Sequence, residues 1–269
     1  MDKFYGIKEG AVNTLDEIGT YLEEINILGY TIVQNLLSEE EVNRASLLLD
    51  EAYDEQLKDF GEDRLKAINE KNLVRCPLAF NDFFLELCNK PLILSLVKHY
   101  LGNYFIINQQ NGIINFPNEE HHQSSWHRDL PYQDYIISQP IAVGCLLCID
   151  DFNIKTGATE VLPYSHSLEK IPSVNFINKN KVSTHVQRGG AIVFNAMLYH
   201  KAGYNSSNIV RRGLNTLYSI PLLKQQINLY TQLNGKHENN EWLKKLLGYD
   251  SQVPETIDQW RKNRLNKIK

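Results

Sequence analysis

The sequence predicts an α+β fold: an antiparallel double-stranded β-helix, or jelly roll, braced by amino-terminal helices. Three observations predict it. Through the first hundred of 269 residues, apolar side chains recur at helical spacing. After Gly102 the pattern changes to short β-rich runs separated by turn residues. A His127-x-Asp129 pair is then followed much later by His200, an order that suits two edges of one barrel. Helices first and strands later is the arrangement in which helices cover one sheet.

The elements follow in order. Residues 14–28 carry Leu15, Ile18, Leu22 and Ile25 at helical spacing. Gly29 to Val33 reads as a short strand. Ser38 to Glu41 is a capping box, with Ser38 as N-cap and Glu41 at the third helical position. The helix it starts places Val42, Ala45, Leu48, Leu49 and Ala52 on one face. Further helices are expected over 80–88 and over 91–100, the latter with Pro91 in its first turn. Strands are expected over 104–116, 141–149, 157–162, 191–194 and 214–220. Asn118, Gly157, Pro163, Gly189-Gly190 and the run from Asn205 to Asn208 supply the turns between them. A short helix is expected over 241–247, and the basic residues 261–269 are expected to be loose. With no repeat and no linker, the chain reads as one domain over 1–269. Its helical part covers about 1–102, its jelly-roll core about 103–222 and a carboxy-terminal extension 223–269.

Composition narrows the function classes. Hydrophobic residues make up 42% and charged residues 22% of the chain, ordinary globular values. The net charge of −4 and the lack of a long basic run argue against a nucleic-acid-binding surface. No stretch has the roughly 18 apolar residues of a membrane span. Met1 to Tyr5 lacks a signal-peptide core. A soluble, cytoplasmic chain is expected. Cys145 and Cys148 form a CxxC, but they lie in a run that reads as a buried strand, where residues three apart face opposite ways. With Cys76 and Cys88 they are expected to be reduced core cysteines.

The chemistry centres on His127, Asp129 and His200. Two residues apart on a strand, His127 and Asp129 would share a face. His200 follows a β-rich segment and would complete the set from across the barrel. Two histidines and a carboxylate are the ligands of non-haem Fe(II) oxygenases, and three protein ligands on an octahedral metal leave three positions open. HxD alone arises often by chance, and His99, His121, His122, His185 and His237 are taken as ordinary surface or core residues.

Three segments together resemble the phytanoyl-CoA dioxygenase family of Fe(II)/2-oxoglutarate oxygenases. Trp126-His127-Arg128-Asp129 is like the family's WHxD. Thr156 to Ser167 resembles its NGALxxxPGSH, with Tyr164 in place of the usual Gly. Arg188 to Phe194, continuing through His200 to Asn205, Ser206 and Arg211, resembles its GDxxxF…H…N.S…R. Gly29 to Val33 followed by Leu37 to Val42 resembles the family's opening. The resemblance covers roughly residues 20–222.

It implies a cupin-like jelly roll, Fe(II) on His127, Asp129 and His200, and 2-oxoglutarate and O2 as co-substrates. It also implies Arg211, eleven residues past His200, pairing with the far carboxylate of 2-oxoglutarate. A planar guanidinium matches a carboxylate with two parallel hydrogen bonds. Arg212 would point the other way and read as a surface charge. Many relatives have a hydroxyl residue two past the distal His; here it is Ala202. Gln110 is left open between a co-substrate contact and a polar strand face. Gly190 replaces a common Asp and should affect only a turn.

Relatives that halogenate have a small residue at the carboxylate position, so Asp129 points to hydroxylation, or another two-electron oxidation, with release of succinate and CO2. The expected substrate is a small, polar metabolite. Pro131, Tyr132, Gln133, Tyr135, Tyr164, Arg188 and Tyr199 are candidates for the mouth of the site, and Arg128 or Arg188 for holding an anionic substrate. Three alternatives remain open. One is a cupin-like metal enzyme without 2-oxoglutarate, which would not need Arg211. Another is a non-catalytic metal-binding relative. The last is a nucleic-acid dealkylase, which the acidic balance disfavours. Oligomeric state is open.

Overall fold

The computed structural model describes residues 15–130, 136–266 and 268. Helix α1 (Glu17–Leu28) starts at Asp16, whose carboxylate accepts from the Gly19 N–H at 2.7 Å. It buries Leu22 and Ile25, while Leu15 stays outside it and exposed. Gly29 ends it at φ +90°, where a Cβ would meet the His166 ring at 2.6 Å and Leu198 at 2.7 Å. Strand β1 (Tyr30–Val33) follows directly. Helix α2 (Glu39–Phe60) has the expected capping box, Ser38 and Glu41 satisfying each other's backbone N–H groups. Its buried face is Val42, Ala45, Leu49 and Ala52.

Next come α3 (Glu62–Ala67), β2 (Leu73–Arg75), α4 (Phe83–Cys88) and α5 (Pro91–Leu101). The helix expected over 80–88 begins only at Phe83, because a 3-10 turn over Pro77–Ala79 precedes it. The strands of the carboxy-terminal half are β3 (Ile106–Asn115), β4 (Ala142–Cys148), β5 (Glu160–Val161), β6 (Val182–Ser183), β7 (Ala191–Asn195), β8 (His200–Lys201) and β9 (Arg211–Ser219). Helix α6 (Val174–Asn180) lies between β5 and β6. After β9 come α7 (Leu229–Gln232), α8 (Glu241–Leu246) and α9 (Ile257–Asn266). The expected loose tail is a helix over much of its length, although α9 buries none of its residues.

The strands form two antiparallel sheets, one in the order β1-β7-β4-β9-β3-β2 and one in the order β6-β5-β8. Alternation along the large sheet divides the core. Val143, Cys145, Leu147, Ala191, Val193 and Leu214 pack on the helices. Leu146, Cys148, Ile192, Phe194 and Ile113 face the small sheet, with Val161, Ala158 and Phe152. Cys145 and Cys148 fall in these two different layers, buried and free of disulfides, as their three-residue spacing requires. Burial pushes the Cys145 thiol above its usual range, so both behave as small hydrophobes.

Arg212 corrects one expectation. It faces the helices, as alternation demands, yet it is not a plain surface charge. Its guanidinium donates to both carboxylate oxygens of Asp50 on α2, at 2.7 and 2.8 Å, and to Asp150 at 3.0 Å. The hydrogen bond and charge of Asp50 outweigh partial burial and raise its pKa. This pair ties the helical layer to β9.

The helix-to-sheet contact should dominate stability. Leu49 is fully buried, and a Cβ added to Gly112 on β3 would lie 2.3 Å from its Cδ1. Leu49→Ala is expected to lower unfolding free energy by about 2–5 kcal/mol, read as an earlier midpoint in chemical denaturation.

Candidate metal and co-substrate site

The segment leading to Leu130 is irregular except for one antiparallel bridge, His127 to His200. The His127 N–H donates to the His200 carbonyl at 2.9 Å, and the His200 N–H returns the bond at 3.0 Å. The Asp129 N–H donates to Ala196 O at 3.2 Å. The expected strand is thus a single bridge, but it achieves the same alternation. On the other side of His200, β8 is pinned by β5, with Val161 opposite His200 and Glu160 opposite Lys201.

These bonds bring the three expected side chains together. One ligand atom from each of His127, Asp129 and His200 lies within 4.8 Å of the others. His200 Nε2 is 3.5 Å from Asp129 Oδ1, and the two imidazole centroids are 4.4 Å apart. Each Nδ1 faces a carbonyl that can only accept: Ser125 O for His127 at 2.8 Å and Leu198 O for His200 at 3.0 Å. Each Nδ1 therefore carries a proton, which turns the Nε2 atoms inward. Burial, then the neighbouring His200, depresses the His127 pKa to about 4, so this ring is neutral at physiological pH. For Asp129, burial opposes ionisation, but the hydrogen bond and charge of His200 outweigh it and lower its pKa. Burial likewise opposes charge on His200, and Asp129 reverses that effect.

His127 Nε2 is buried with no hydrogen-bond partner. A buried, unpaired lone pair is unfavourable unless a ligand engages it. Two imidazoles and a carboxylate are also a donor set suited to a divalent first-row metal. On both counts the residues fit an iron ion.

Arg211 lines the same pocket as His127 and His200. It is only 1% exposed, and its guanidinium carbon lies 4.3 Å above the Phe152 ring. Nη2 donates to Gly157 O at 2.8 Å, while Nε is buried without a partner. Burial brings its pKa down to about 10, which still leaves it cationic at neutral pH. A buried cation with an unused donor is costly unless an anion joins it. The Gly157 carbonyl is held by a close backbone crossing: a Cβ on Gly203 would lie 2.4 Å from Ala158 O.

Ala202 also lines this pocket. The β5–β8 register carries Thr159 to the level of Ala202, and Thr159 lines the pocket as well. A hydroxyl is therefore available from the opposite strand. Asn215 is a site residue that the motifs do not single out. It lies four residues past Arg211 on β9, lines the pocket, and donates from Nδ2 to Asp129 Oδ2 at 3.2 Å. Its even spacing from Arg211 is the one signal of it in the sequence.

Other candidates fall elsewhere. Gln110 points to the helix side of β3, where it accepts from Leu78 N and donates to Phe84 O at 3.1 Å. A co-substrate contact for Gln110 is set aside, because β3 alternation turns it away from the pocket. Arg128 is 2% exposed and clamps loop carbonyls, with Nε donating to Met197 O at 2.8 Å and Nη2 to Ser165 O at 3.2 Å. It stacks 4.0 Å over buried Tyr199, so these two brace the wall. Arg188 reaches Asn43 and Glu39 on α2, and Tyr164 is exposed in a left-handed turn. His121 is buried and stacked on His122. Pro131, Tyr132, Gln133 and Tyr135 lie outside the described residues, as do residues 1–14.

Comparison with known proteins gives the family and the fold. The family model for phytanoyl-CoA dioxygenase (PhyH) matches residues 27–213. The Mycobacterium bovis protein Mb1539 is 28% identical over 247 residues, covering 88% of this chain and 89% of its own. Among solved structures, AviO1 from Streptomyces viridochromogenes Tue57 superposes with a TM-score of 0.60 at 20% identity, covering 78% of this chain and 97% of its own. SnoN, a non-haem α-ketoglutarate-dependent epimerase from nogalamycin biosynthesis, gives 0.58 at 18% identity, with coverages of 76% and 83%. SnoN has also been solved with Fe3+, α-ketoglutarate and nogalamycin RO.

Two outcomes are expected. Alanine at His127, Asp129 or His200 should largely abolish Co(II) binding in an absorption titration while leaving far-UV circular dichroism unchanged. Gly203→Ala has only backbone to push against and should cost about 1–3 kcal/mol, seen as a lower melting temperature. With the motifs, the fold and the matched span in agreement, the chain belongs to the phytanoyl-CoA dioxygenase family of non-haem iron, 2-oxoglutarate-dependent oxygenases.

Proposed function

We propose that this protein is an Fe(II)- and 2-oxoglutarate-dependent dioxygenase that hydroxylates an aliphatic C–H of a small metabolite, with release of succinate and CO2. One observation carries the reading: two members of the His127–Asp129–His200 cluster, His127 and His200, line one pocket with the buried, under-satisfied Arg211. A cupin-like metal enzyme without 2-oxoglutarate would need no such arginine. Bound iron and 2-oxoglutarate would together supply the activation of O2.

The chain's own residues do the holding. His127, Asp129 and His200 would be the three protein ligands of the metal, their rings fixed by Ser125 O and Leu198 O. Arg211 would receive the far carboxylate of 2-oxoglutarate on its Nε edge, and Thr159 would supply the hydroxyl that Ala202 lacks. Ile113, Leu146, Ile192 and Phe194 surround the site with apolar surface, which excludes water and strengthens the ionic contacts. Asp129 at the carboxylate position favours hydroxylation over halogenation.

The relatives' names support a small-molecule substrate, since SnoN acts in nogalamycin biosynthesis. Among the described residues no helix is long and apolar enough to cross a membrane. We read residues 1–269 as one catalytic unit. Supporting this, Leu229 of α7 and Leu246 of α8 share a core cluster with Val143 of the sheet.

Fe(II) with 2-oxoglutarate, mixed with the protein without oxygen, should give the weak visible charge-transfer band of the chelate. Arg211→Ala should weaken 2-oxoglutarate binding by about 10–100-fold, the range for removing a hydrogen bond to a charged group. With oxygen admitted, succinate release should require Asp129. If no band forms and 2-oxoglutarate does not bind, the cupin-like alternative replaces this one.

A further inference from the structure

We infer that Asn215 is a positioning residue that decides which oxygen of Asp129 faces the metal. The inference rests on the metal-centre reading above. The two carboxylate oxygens have different surroundings. Oδ2 accepts from Asn215 Nδ2 at 3.2 Å, whereas Oδ1 lies 3.5 Å from His200 Nε2, on the side of the other ligands. Held in this way, Asp129 offers Oδ1 and keeps Oδ2 occupied. A carboxylate that offers one oxygen takes one coordination position and leaves the others to co-substrate and O2.

The orientation of the amide is forced. An ionised carboxylate only accepts, so turning the amide over would set two acceptors against each other. Asn215 Oδ1 must then point away from Asp129, and there it is buried with no hydrogen-bond partner. Such an orphan costs about 1–3 kcal/mol. Asn205, which has a structural role, satisfies both ends of its amide. It donates to Asn115 O and Ile209 O and accepts from Ser207, and it closes the loop before β9. Asn215 is 6% exposed and leaves one end unsatisfied, which is unfavourable for stability and explicable by the orientation of Asp129.

The strand beneath it is braced. Asn215 sits opposite Asn111 on β3, and Asn111 opposite Arg75 on β2. Arg75 Nη1 donates to Asn111 Oδ1 at 3.0 Å and to Gln226 Oε1 at 2.9 Å, and Arg75 also pairs with Glu70. Register thus sets Arg75, Asn111 and Asn215 in one row across β2, β3 and β9, and the Arg75 contacts brace the strand next to the one on which Asn215 stands.

The test is a Co(II) titration of the protein without co-substrate, followed by visible absorption, for wild type, Asn215→Ala and Asn215→Leu. Leu preserves the side-chain volume in case Ala disturbs packing. Both variants should bind Co(II) about 10–100-fold more weakly, with an altered ligand-field band, and neither should melt earlier than wild type in the metal-free state. A variant with wild-type affinity and spectrum overturns the inference. So does a lower metal-free melting temperature with unchanged affinity, the mark of a merely structural residue. If wild type itself shows no Asp129-dependent Co(II) binding, the metal-centre reading fails as well.

Discussion

Two backbone hydrogen bonds, exchanged between His127 and His200, set the geometry on which the site depends. They join an irregular segment to a two-residue strand and make a candidate ligand cluster from residues far apart in the chain. Each bond is modest by itself, about 0.5–1.5 kcal/mol net. Its effect is leverage: it fixes the alternation that turns both histidines and Asp129 inward. The bridge is itself held from outside. Val161 pins His200 from the small sheet, Ala196 O takes the Asp129 N–H, and Arg128 clamps the neighbouring loops behind the ligands.

Charge in the cavity is balanced against burial. Two imidazoles, one carboxylate and one guanidinium sit among apolar side chains, where unpaired charge is unfavourable. Without a metal, His200 and Asp129 stabilise each other's charged forms, while His127 stays neutral. Arg211 is held by a carbonyl and an aromatic face, with its Nε left without a partner. A spare inward lone pair on His127 and a spare buried donor on Arg211 would be satisfied by a cation at one end and an anion at the other. The large hydrophobic layers on either side of the sheet offset the cost of both.

Much of this was legible in the sequence. The capping box at Ser38, the apolar face of α2 and the switch to short strands after Gly102 follow from local periodicity, which depends only on neighbours in the chain. The triad and Arg211 were legible because their spacing and order are a motif. Gln110 and Arg212 were not, for one reason. Alternation says that neighbours point opposite ways, but not which layer lies on which side. Gln110 entered the helical layer, and Arg212 found Asp50 on a helix distant in sequence. Three of the candidate substrate contacts were equally unreadable. Arg128, Arg188 and Tyr199 have chemistry suited to a ligand, yet each has partners within the protein that sequence distance hides.

The sequence by itself determined the kind of chemistry and the class of fold. Residue types, their order and their local period carry those, since ligand softness and helix or strand preference are properties of side chains and short segments. Only the tertiary structure decided the site's working detail: a bridge in place of a strand at His127, Thr159 brought level with Ala202, Asn215 set against Asp129, and an unsatisfied Nε on Arg211. Those are relations between strands. Cross-strand register and burial arise only when distant segments share one core, and no local pattern encodes them.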